Sequence, residues 1–191
     1  MDPEPQSGPA ENEDRDARDL ARFLSGDERG FEDLVRRYET RLRAVAYGVL
    51  RDWGLAEDAA QDAFLTAYRK AATFRNEGAF RGWLFRIVLN RARDLARARR
   101  RRAEEGADPA TAAFAEGVET QHRLEAEWAI GQSLDTLRPE HRMALVLKEI
   151  EGMGYQEIAD VLGWPLGTVQ TRVHRARIEL RDALARNRRE T

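Results

Sequence analysis

The segment from Gly154 to Arg181, GYQEIADVLGWPLGTVQTRVHRARIELR, decides the predicted fold of the C-terminal part of this chain. It contains two short helical patterns, in which apolar residues recur at the three- and four-residue steps of one helix face. These residues are Ile158, Ala159 and Leu162 in the first pattern and Val169 and Val173 in the second. Gly163 lies between the patterns and can adopt the left-handed conformation that commonly ends a helix. The segment therefore predicts a helix-turn-helix, in which the small Ala159 permits close helix approach.

The second helix of this motif carries side chains suited to reading DNA. We expect it to start at Thr168, whose hydroxyl is a fair N-terminal cap. With the apolar face buried, five polar side chains remain wholly or partly exposed: Gln170, Thr171, His174, Arg175 and Arg177. In the major groove, glutamine can read adenine, arginine can read guanine, and threonine can contact a base or a phosphate. The alternative is an ordinary pair of bundle helices with a solvated, charged face.

Composition favours an all-α protein with small cores. The 191 residues allow one ordinary domain or two small ones, and 42% are hydrophobic against 35% charged. Glycine and proline are sparse within the periodic stretches, which favours helices. There is no cysteine, so disulfides and thiolate chemistry are excluded. No apolar run approaches the ~18 residues of a membrane helix, and the acidic N-terminus has no signal-peptide core. We therefore expect a soluble protein of the cytoplasm.

Charge is segregated along the chain, although the formal net charge is only -2. Residues 1–20 hold seven acids and two bases, and residues 103–127 hold seven acids and one base. Residues 69–102 hold twelve bases and two acids, and residues 172–189 hold seven bases and two acids. All the basic residues except Lys70 and Lys148 are arginine, which binds phosphate through a planar fork of donors. Two basic blocks between acidic ones indicate a nucleic-acid partner.

The periodic stretches divide the chain into two small helical bundles joined by a flexible linker. Residues 1–15 are predicted to be a disordered acidic tail. Residues 16–102 are predicted to form the first bundle, residues 103–127 an acidic linker, and residues 128–187 the second bundle. Trp128, Ile130, Leu134 and Leu137 would start the second bundle, and Pro139 suits the first turn of its next helix.

A basic helix with aromatic neighbours is predicted after residue 79. On an ideal helix centred on Ile87, the opposite face collects Phe85, Arg86, Leu89, Arg93 and Arg97. A face that is half basic and half apolar, with Phe74, Phe80 and Trp83 nearby, suits an opened strand, because aromatic rings stack on unpaired bases. The alternative places Phe80 and Trp83 in the core. The loop containing Phe74 and Asn76, together with Asn90, therefore supplies the better candidates for base contact.

Four segments of the chain resemble a known family when taken in order. They are FEDLVRRYETRL, AEDAAQDAFLTAYRKA, FRNEGAFRGWLFRIVLNRARD and LDTLRPEHRMALVLKEIEGMGYQEIADVLGWPLGTVQTRVHRAR. Together they are similar to the extracytoplasmic-function (ECF) sigma factors, the small two-domain branch of the bacterial sigma-70 family. The resemblance spans about residues 20–185. It implies a sigma-2 domain in residues 16–102 and a sigma-4 domain in residues 128–187.

The resemblance also implies a role for three sets of side chains. Docking on the β′ clamp helices of core RNA polymerase is expected of Glu57, Asp58, Gln61, Asp62 and Leu65. Recognition and opening of the promoter −10 element are expected of Phe74, Arg75, Asn76, Phe80, Arg86, Asn90 and Arg93. Recognition of the −35 element is expected of Thr168, Gln170, Thr171, Arg172, His174 and Arg175.

Further partners follow from the same resemblance. The sigma-4 domain is expected to meet the β flap, and the acidic linker to run towards the RNA path. Relatives are commonly held silent by an anti-sigma factor, so one is expected here. The alternative function is a helix-turn-helix regulator that is not a polymerase subunit. An enzyme is not expected, and neither is a metal or other cofactor, because the three histidines lie far apart and no glycine-rich phosphate loop occurs.

Overall fold

The computed structural model describes residues 9–74, 80–104, 134 and 136–187, and all regular structure within these ranges is helical. The chain divides into two compact units, Met1–Arg93 and Asp94–Thr191. This confirms the all-α class. None of the helices in the described ranges is long and apolar enough to span a bilayer. The predicted linker lies outside the described residues from residue 105 onward, and the predicted domain limits stay predictions.

The described residues of the N-terminal unit form three helices and most of a fourth. They are α1 (Pro9–Leu24), α2 (Arg29–Leu50), α3 (Trp53–Lys70), a 3₁₀ turn (Ala71–Thr73) and α4 (Phe80–Glu104). The α1 helix starts at Pro9 and not near residue 16, so the prediction of a disordered tail is wrong for residues 9–15. Residues 13–15 are exposed, so this first part of α1 extends the portion that is bonded to α2 from Asp16 onward, which a sequence pattern of low hydrophobicity does not reveal.

A buried carboxylate joins α1 to α2. Asp16 is 1% exposed, and it accepts hydrogen bonds from the Tyr38 hydroxyl at 2.5 Å and from Arg37 at 2.5 Å. Burial raises the pKa of Asp16, although its bonds to Tyr38 and Arg37 oppose the shift. Arg37 also donates to Asp19 at 2.6 Å. Four polar residues, Asp16, Asp19, Arg37 and Tyr38, are therefore hydrogen-bonded to one another at this contact, as a buried polar cluster requires.

The inner face of α3 is an alanine seam, consisting of Ala56, Ala59, Ala60, Ala63 and Ala67, all of them buried. It packs mainly against α2, whose inner face carries larger side chains such as Leu34, Leu42 and Val45. Asp52 caps the helix, because its carboxylate accepts the backbone N–H of Leu55 at 3.0 Å. The small side chains bring α3 close to α2 and leave the opposite face of α3 exposed.

The orientation of α4 differs from the prediction. Phe85 and Leu89 are fully buried, and Phe85 packs edge-on against Tyr38 with ring centroids 6.2 Å apart. Ile87, the predicted centre of the inner face, is only partly buried. Apolar residues occur on both sides of this helix, so the sequence admits two inner faces, and packing against Tyr38 selects the one with Phe85. The prediction that Phe85 and Leu89 form part of an exposed face is wrong.

In the described residues after 134, the C-terminal unit contains three α-helices. They are α5 (Pro139–Leu145), which continues into a π-helical turn (Val146–Ile150), then α6 (Tyr155–Leu162) and α7 (Leu166–Asn187). Pro139 occupies the first turn of α5 as predicted. Leu137, Leu145 and Ala176 form a core between α5 and α7, with Leu134 and Leu180 packed beside it. Trp128 and Ile130 lie outside the described residues.

Two buried polar residues of α5 fix this unit. The Arg142 guanidinium donates to the backbone carbonyls of Leu134 at 2.7 Å and Leu137 at 2.9 Å. His141 lies with its Nδ1 atom 2.9 Å from Oε1 of Glu179 on α7. Arg142 therefore anchors the chain that precedes α5, and His141 joins α5 to α7.

Two glycines of α2 should respond in opposite ways to alanine. A Cβ atom at Gly30 would lie 2.2 Å from the Asp19 carbonyl oxygen and 2.7 Å from the Phe23 nitrogen, both backbone atoms of α1. Gly30→Ala should therefore lower the free energy of unfolding by about 1–3 kcal/mol, since the helices must separate. At Gly48 a Cβ atom meets nothing within 4 Å. Gly48→Ala should raise the free energy by roughly 0.5–1 kcal/mol. Urea unfolding of both variants measures this, and equal effects would contradict the proposed close contact.

Candidate DNA and polymerase interfaces

The turn between α6 and α7 is fixed by backbone geometry. Gly163 has the left-handed conformation predicted for it, with φ 67° and ψ 34°, and it ends α6. The Trp164 N–H donates to the Ala159 carbonyl at 3.0 Å, which is one bond of a Schellman motif. Pro165 follows, and its carbonyl accepts the N–H groups of Thr168 and Val169 at 2.9 and 3.1 Å. The helix-turn-helix predicted from the sequence is therefore present.

The start of α7 was misplaced in the prediction. The helix begins at Leu166, so Thr168 lies inside its first turn and is not the cap. The Pro165 carbonyl supplies the first helical bonds instead. Threonine is a common N-cap, but the Pro165 carbonyl already accepts the first helical hydrogen bonds, so the helix begins before Thr168.

The inner and outer faces of α7 are clearly separated. Val169 and Val173 are both 0% exposed and contact the rest of the unit. The outer face presents Gln170, Thr171, His174 and Arg175, all of them exposed, with Thr168 and Arg172 partly buried at one flank. The Thr171 hydroxyl donates to the Gly167 carbonyl at 2.8 Å, which leaves its lone pairs outward. The six residues predicted to read DNA therefore lie on adjoining turns of one helix.

Arg177 belongs to a different arrangement. Its guanidinium donates to Oε1 of Glu149 at 2.5 and 3.1 Å, and this bond raises the pKa of Arg177. Both side chains are about half exposed. The ion pair joins α7 to the π-helical turn, so the charge of Arg177 is balanced within the unit.

The aromatic residues at the start of α4 form one cluster. The Phe74 ring lies 5.0 Å from Trp83 and 5.7 Å from Phe80, measured between centroids, and Trp83 lies 5.6 Å from Phe80. Phe74 and Trp83 are partly exposed, whereas Phe80 is 5% exposed. The Phe80 ring therefore lies beneath the other two and supports them, and the predicted contact of Phe80 with DNA stays a prediction.

The remaining candidates for −10 contact lie along α4. Arg86 and Asn90 are exposed, four residues apart on one side of the helix, and Arg93 is partly exposed. Arg75 and Asn76 lie outside the described residues. The structure therefore places a partly exposed aromatic pair at the start of a helix whose outer face carries arginine and asparagine.

The outer face of α3 combines acidic and apolar side chains. Glu57, Asp58 and Gln61 are exposed, and Leu65 is 53% exposed. Asp62 lies at the edge of this face and accepts a hydrogen bond from Nε of Arg91 on α4 at 2.6 Å. The sequence did not reveal this ion pair, because its two residues are 29 positions apart.

The histidines and acidic side chains of the described residues lie in separate surroundings. No group of three His, Cys, Asp or Glu side chains that could hold a metal occurs in those ranges. His141 is buried against Glu179, and His174 lies on the exposed face of α7. His122 lies outside the described residues.

Comparison with known proteins gives consistent matches in both units. The family model for Sigma-70 region 2 matches residues 34–102, and the model for Sigma-70, region 4 matches residues 127–180. The chain is 35% identical over 185 residues to the RNA polymerase sigma-H factor of Pseudomonas aeruginosa, covering 90% of this chain and 95% of that protein. It is 32% identical over 171 residues to the ECF RNA polymerase sigma-E factor of Escherichia coli K12, covering 83% and 88% respectively.

A solved structure shares the fold. The sigma factor RpoE of Bartonella quintana, crystallised with the anti-sigma factor NepR, matches with a TM-score of 0.65 and 28% identity. The match covers 81% of this chain and 96% of that one.

Proposed function

The chain belongs to the extracytoplasmic-function branch of the sigma-70 family, and we propose that it binds core polymerase and promoter DNA through three separate exposed surfaces. The protein is an RNA polymerase sigma factor of the ECF type, which directs core polymerase to promoters with −35 and −10 elements and initiates strand opening. The family matches support this function and not the alternative of a regulator outside the polymerase. We further propose that the chain has no catalytic chemistry of its own and acts in the cytoplasm with the polymerase.

The outer face of α7 is proposed to bind the −35 element. The observation that carries this proposal is the separation of Val169 and Val173, fully buried, from Gln170 and Arg175, exposed on the same turns. Insertion of the N-terminal half of α7 into the major groove would place the Gln170 amide and the Arg175 guanidinium at base edges. Thr171 and His174 on the same face, and Thr168 and Arg172 at its flank, would complete the contact.

The start of α4 is proposed to bind and open the −10 element. Phe74 and Trp83 have partly exposed rings on which an unstacked base can stack. Arg86 and Arg93 lie further along α4, where they can bind phosphates of the same strand. Asn90 is exposed and can hydrogen-bond the edge of a flipped base. Unstacking one base costs a few kcal/mol, so these contacts must supply that energy. Arg75 and Asn76 are proposed to take part from the loop before α4.

The outer face of α3 is proposed to dock on the β′ clamp helices of core polymerase. Glu57 and Asp58 give it a negative charge, and Leu65 offers an apolar side chain on the same face. A basic, helical partner surface complements this pattern. Asp62 lies at the edge of this face and would also contribute, although its carboxylate is paired with Arg91. The β flap is proposed as a second polymerase contact, made by the C-terminal unit.

An anti-sigma factor is proposed as a further partner. The B. quintana relative was crystallised with one, and the likeness to that protein extends over most of this chain. Because this chain contains no cysteine, any thiol-based sensing would have to reside in that partner.

Run-off transcription tests the function as a whole. Core polymerase with this chain should give a promoter-dependent transcript from its cognate template, and core polymerase alone should not. A related sigma factor whose promoters are known serves as a control for the activity of the core. A core that responds to the control, but gives no transcript with this chain on any template of a genomic promoter library, would contradict the proposal.

Substitutions on α7 test the −35 surface. Gln170→Ala and Arg175→Ala should each weaken binding of the holoenzyme to a promoter fragment by about 1–3 kcal/mol, because each removes a base or phosphate contact. Arg181→Ala is the matched control, since Arg181 is exposed on the same helix and pairs with Asp182. Fluorescence anisotropy with intact and scrambled −35 elements measures the effect. An equal loss in all three variants would count against a localised −35 contact.

Asn90→Ala tests the −10 surface. The variant should form fewer open complexes, measured by permanganate reactivity of unpaired thymines, because the flipped base loses a hydrogen-bond partner. Duplex contact at the −35 element should be unchanged, and a template with a preformed bubble should restore transcription. Loss of −35 contact together with opening would indicate that Asn90 serves only to maintain the fold.

Charge reversal on α3 tests the docking surface. Glu57→Lys should weaken assembly with core polymerase by roughly tenfold, about 1.4 kcal/mol, because a like charge would then face a basic partner. Glu32→Lys on α2 is the matched control, with the same change of charge at a residue whose side chain is 62% exposed. Competition against a labelled sigma factor measures both. If Glu32→Lys is as harmful as Glu57→Lys, net charge and not the α3 face would be responsible.

A further inference from the structure

A tryptophan in the turn of the helix-turn-helix stacks under one arginine of α7. The guanidinium carbon of Arg172 lies 3.9 Å from the centroid of the Trp164 ring, well inside the range of a cation–π contact. Both side chains are partly buried. The pair joins the turn to the second helical turn of α7, at the flank of the surface proposed to read the −35 element.

The backbone holds Trp164 in a fixed position. Its N–H is bonded to the Ala159 carbonyl at 3.0 Å, and the preceding Gly163 is in the left-handed conformation. The following residue, Pro165, restricts Trp164 to extended backbone angles. Pro165 is also bonded through its carbonyl to the first turn of α7. The backbone of Trp164, from which the indole ring extends, therefore cannot shift independently of α7.

Arg172 differs from other arginines of α7 in what it contacts. Arg177 is paired with Glu149 at 2.5 Å, and Arg181 with Asp182 at 3.3 Å. Within the described residues, Arg172 has the Trp164 ring as its partner and no carboxylate. An aromatic face attracts the cation without neutralising it and leaves the N–H groups at the guanidinium edge able to donate. The charge of Arg172 is therefore available to an anion.

The flank of a recognition helix is where backbone contacts occur. On α7, Arg172 lies between the buried face, with Val169 and Val173, and the exposed Arg175. In a helix-turn-helix complex, side chains at this flank reach phosphates and so set the register of the helix on the duplex. A stacked guanidinium has already lost much of its rotamer freedom, so it loses less entropy when it binds.

We propose that Trp164 is a positioning residue for −35 binding, which holds the Arg172 guanidinium flat against its ring so that Arg172 binds a phosphate of the DNA backbone. The proposal rests on the proposed function, because it assumes that α7 meets the −35 duplex. It adds a residue of the turn to the surface and assigns Arg172 to phosphate and not to a base.

A double-mutant cycle on the holoenzyme tests the proposal. Arg172→Ala should weaken binding to a promoter fragment about tenfold or more. It should also reduce the slope of log K against log salt by about 0.9, as expected for the loss of one phosphate contact. The loss should be the same for intact and scrambled −35 elements. Trp164→Ala should weaken binding by about two- to fivefold, whereas Trp164→Phe, which keeps an aromatic face, should retain most of the affinity.

The combined variant decides between positioning and a merely structural role. In the Arg172→Ala background, Trp164→Ala should cause no further loss of affinity, because there is no guanidinium left to hold. If the losses of affinity from the two substitutions are fully additive, the proposal is wrong. It is also wrong if the loss with Trp164→Ala accompanies a lowered melting temperature and Trp164→Phe does not restore the affinity. A salt slope unchanged by Arg172→Ala would overturn the phosphate assignment.

The same experiment separates this inference from the proposed function. If Arg172→Ala and Trp164→Ala leave binding unchanged while Gln170→Ala weakens it, the inference is wrong and the −35 surface stands. If Gln170→Ala, Arg175→Ala and Arg172→Ala are all without effect, the assignment of α7 to the −35 element is wrong, and the inference is wrong with it.

Discussion

The left-handed turn at Gly163 is the constraint on which the arrangement of the C-terminal unit depends. It ends α6, directs the chain into Pro165 and so fixes where α7 begins. Val169 and Val173 are then buried, and the opposite side of α7 is necessarily exposed. A residue with a Cβ atom at position 163 would carry the strain of a positive φ, and the cost would appear as a displaced α7.

Intramolecular ion pairs decide which positive charges remain available for DNA. The basic blocks are evident in the sequence, but Arg91 is paired with Asp62, and Arg177 with Glu149. Arg172 lies on an aromatic ring instead. A count of arginines therefore overstates the charge that can bind phosphate, and the pairing within each unit distinguishes arginines that support the fold from those that can bind a partner.

Sequence periodicity was sufficient for the helical class, the turn at Gly163 and the position of Pro139, because these depend on local backbone preferences. It was insufficient for α4, where apolar residues on two sides left the inner face undecided until Phe85 packed on Tyr38. Contacts between distant residues, such as Asp62 with Arg91, and rotamer-dependent contacts across a turn leave no pattern in a single sequence. Amphipathicity nevertheless predicts the exposed side of α7 correctly, where Gln170, Thr171, His174 and Arg175 are exposed and Val169 and Val173 are buried.

The alanine seam of α3 has a mechanical consequence. Alanine has no side-chain rotamers, so the α3 side of this contact, built from Ala56, Ala59, Ala60, Ala63 and Ala67, cannot relax by exchanging rotamers when a load is applied to the outer face. Force on Glu57 or Leu65 is passed through this seam to the buried side chains of α2. We therefore expect α3 to move as a rigid element. Larger residues in the seam would increase the distance between α2 and α3 and tilt the exposed face of α3.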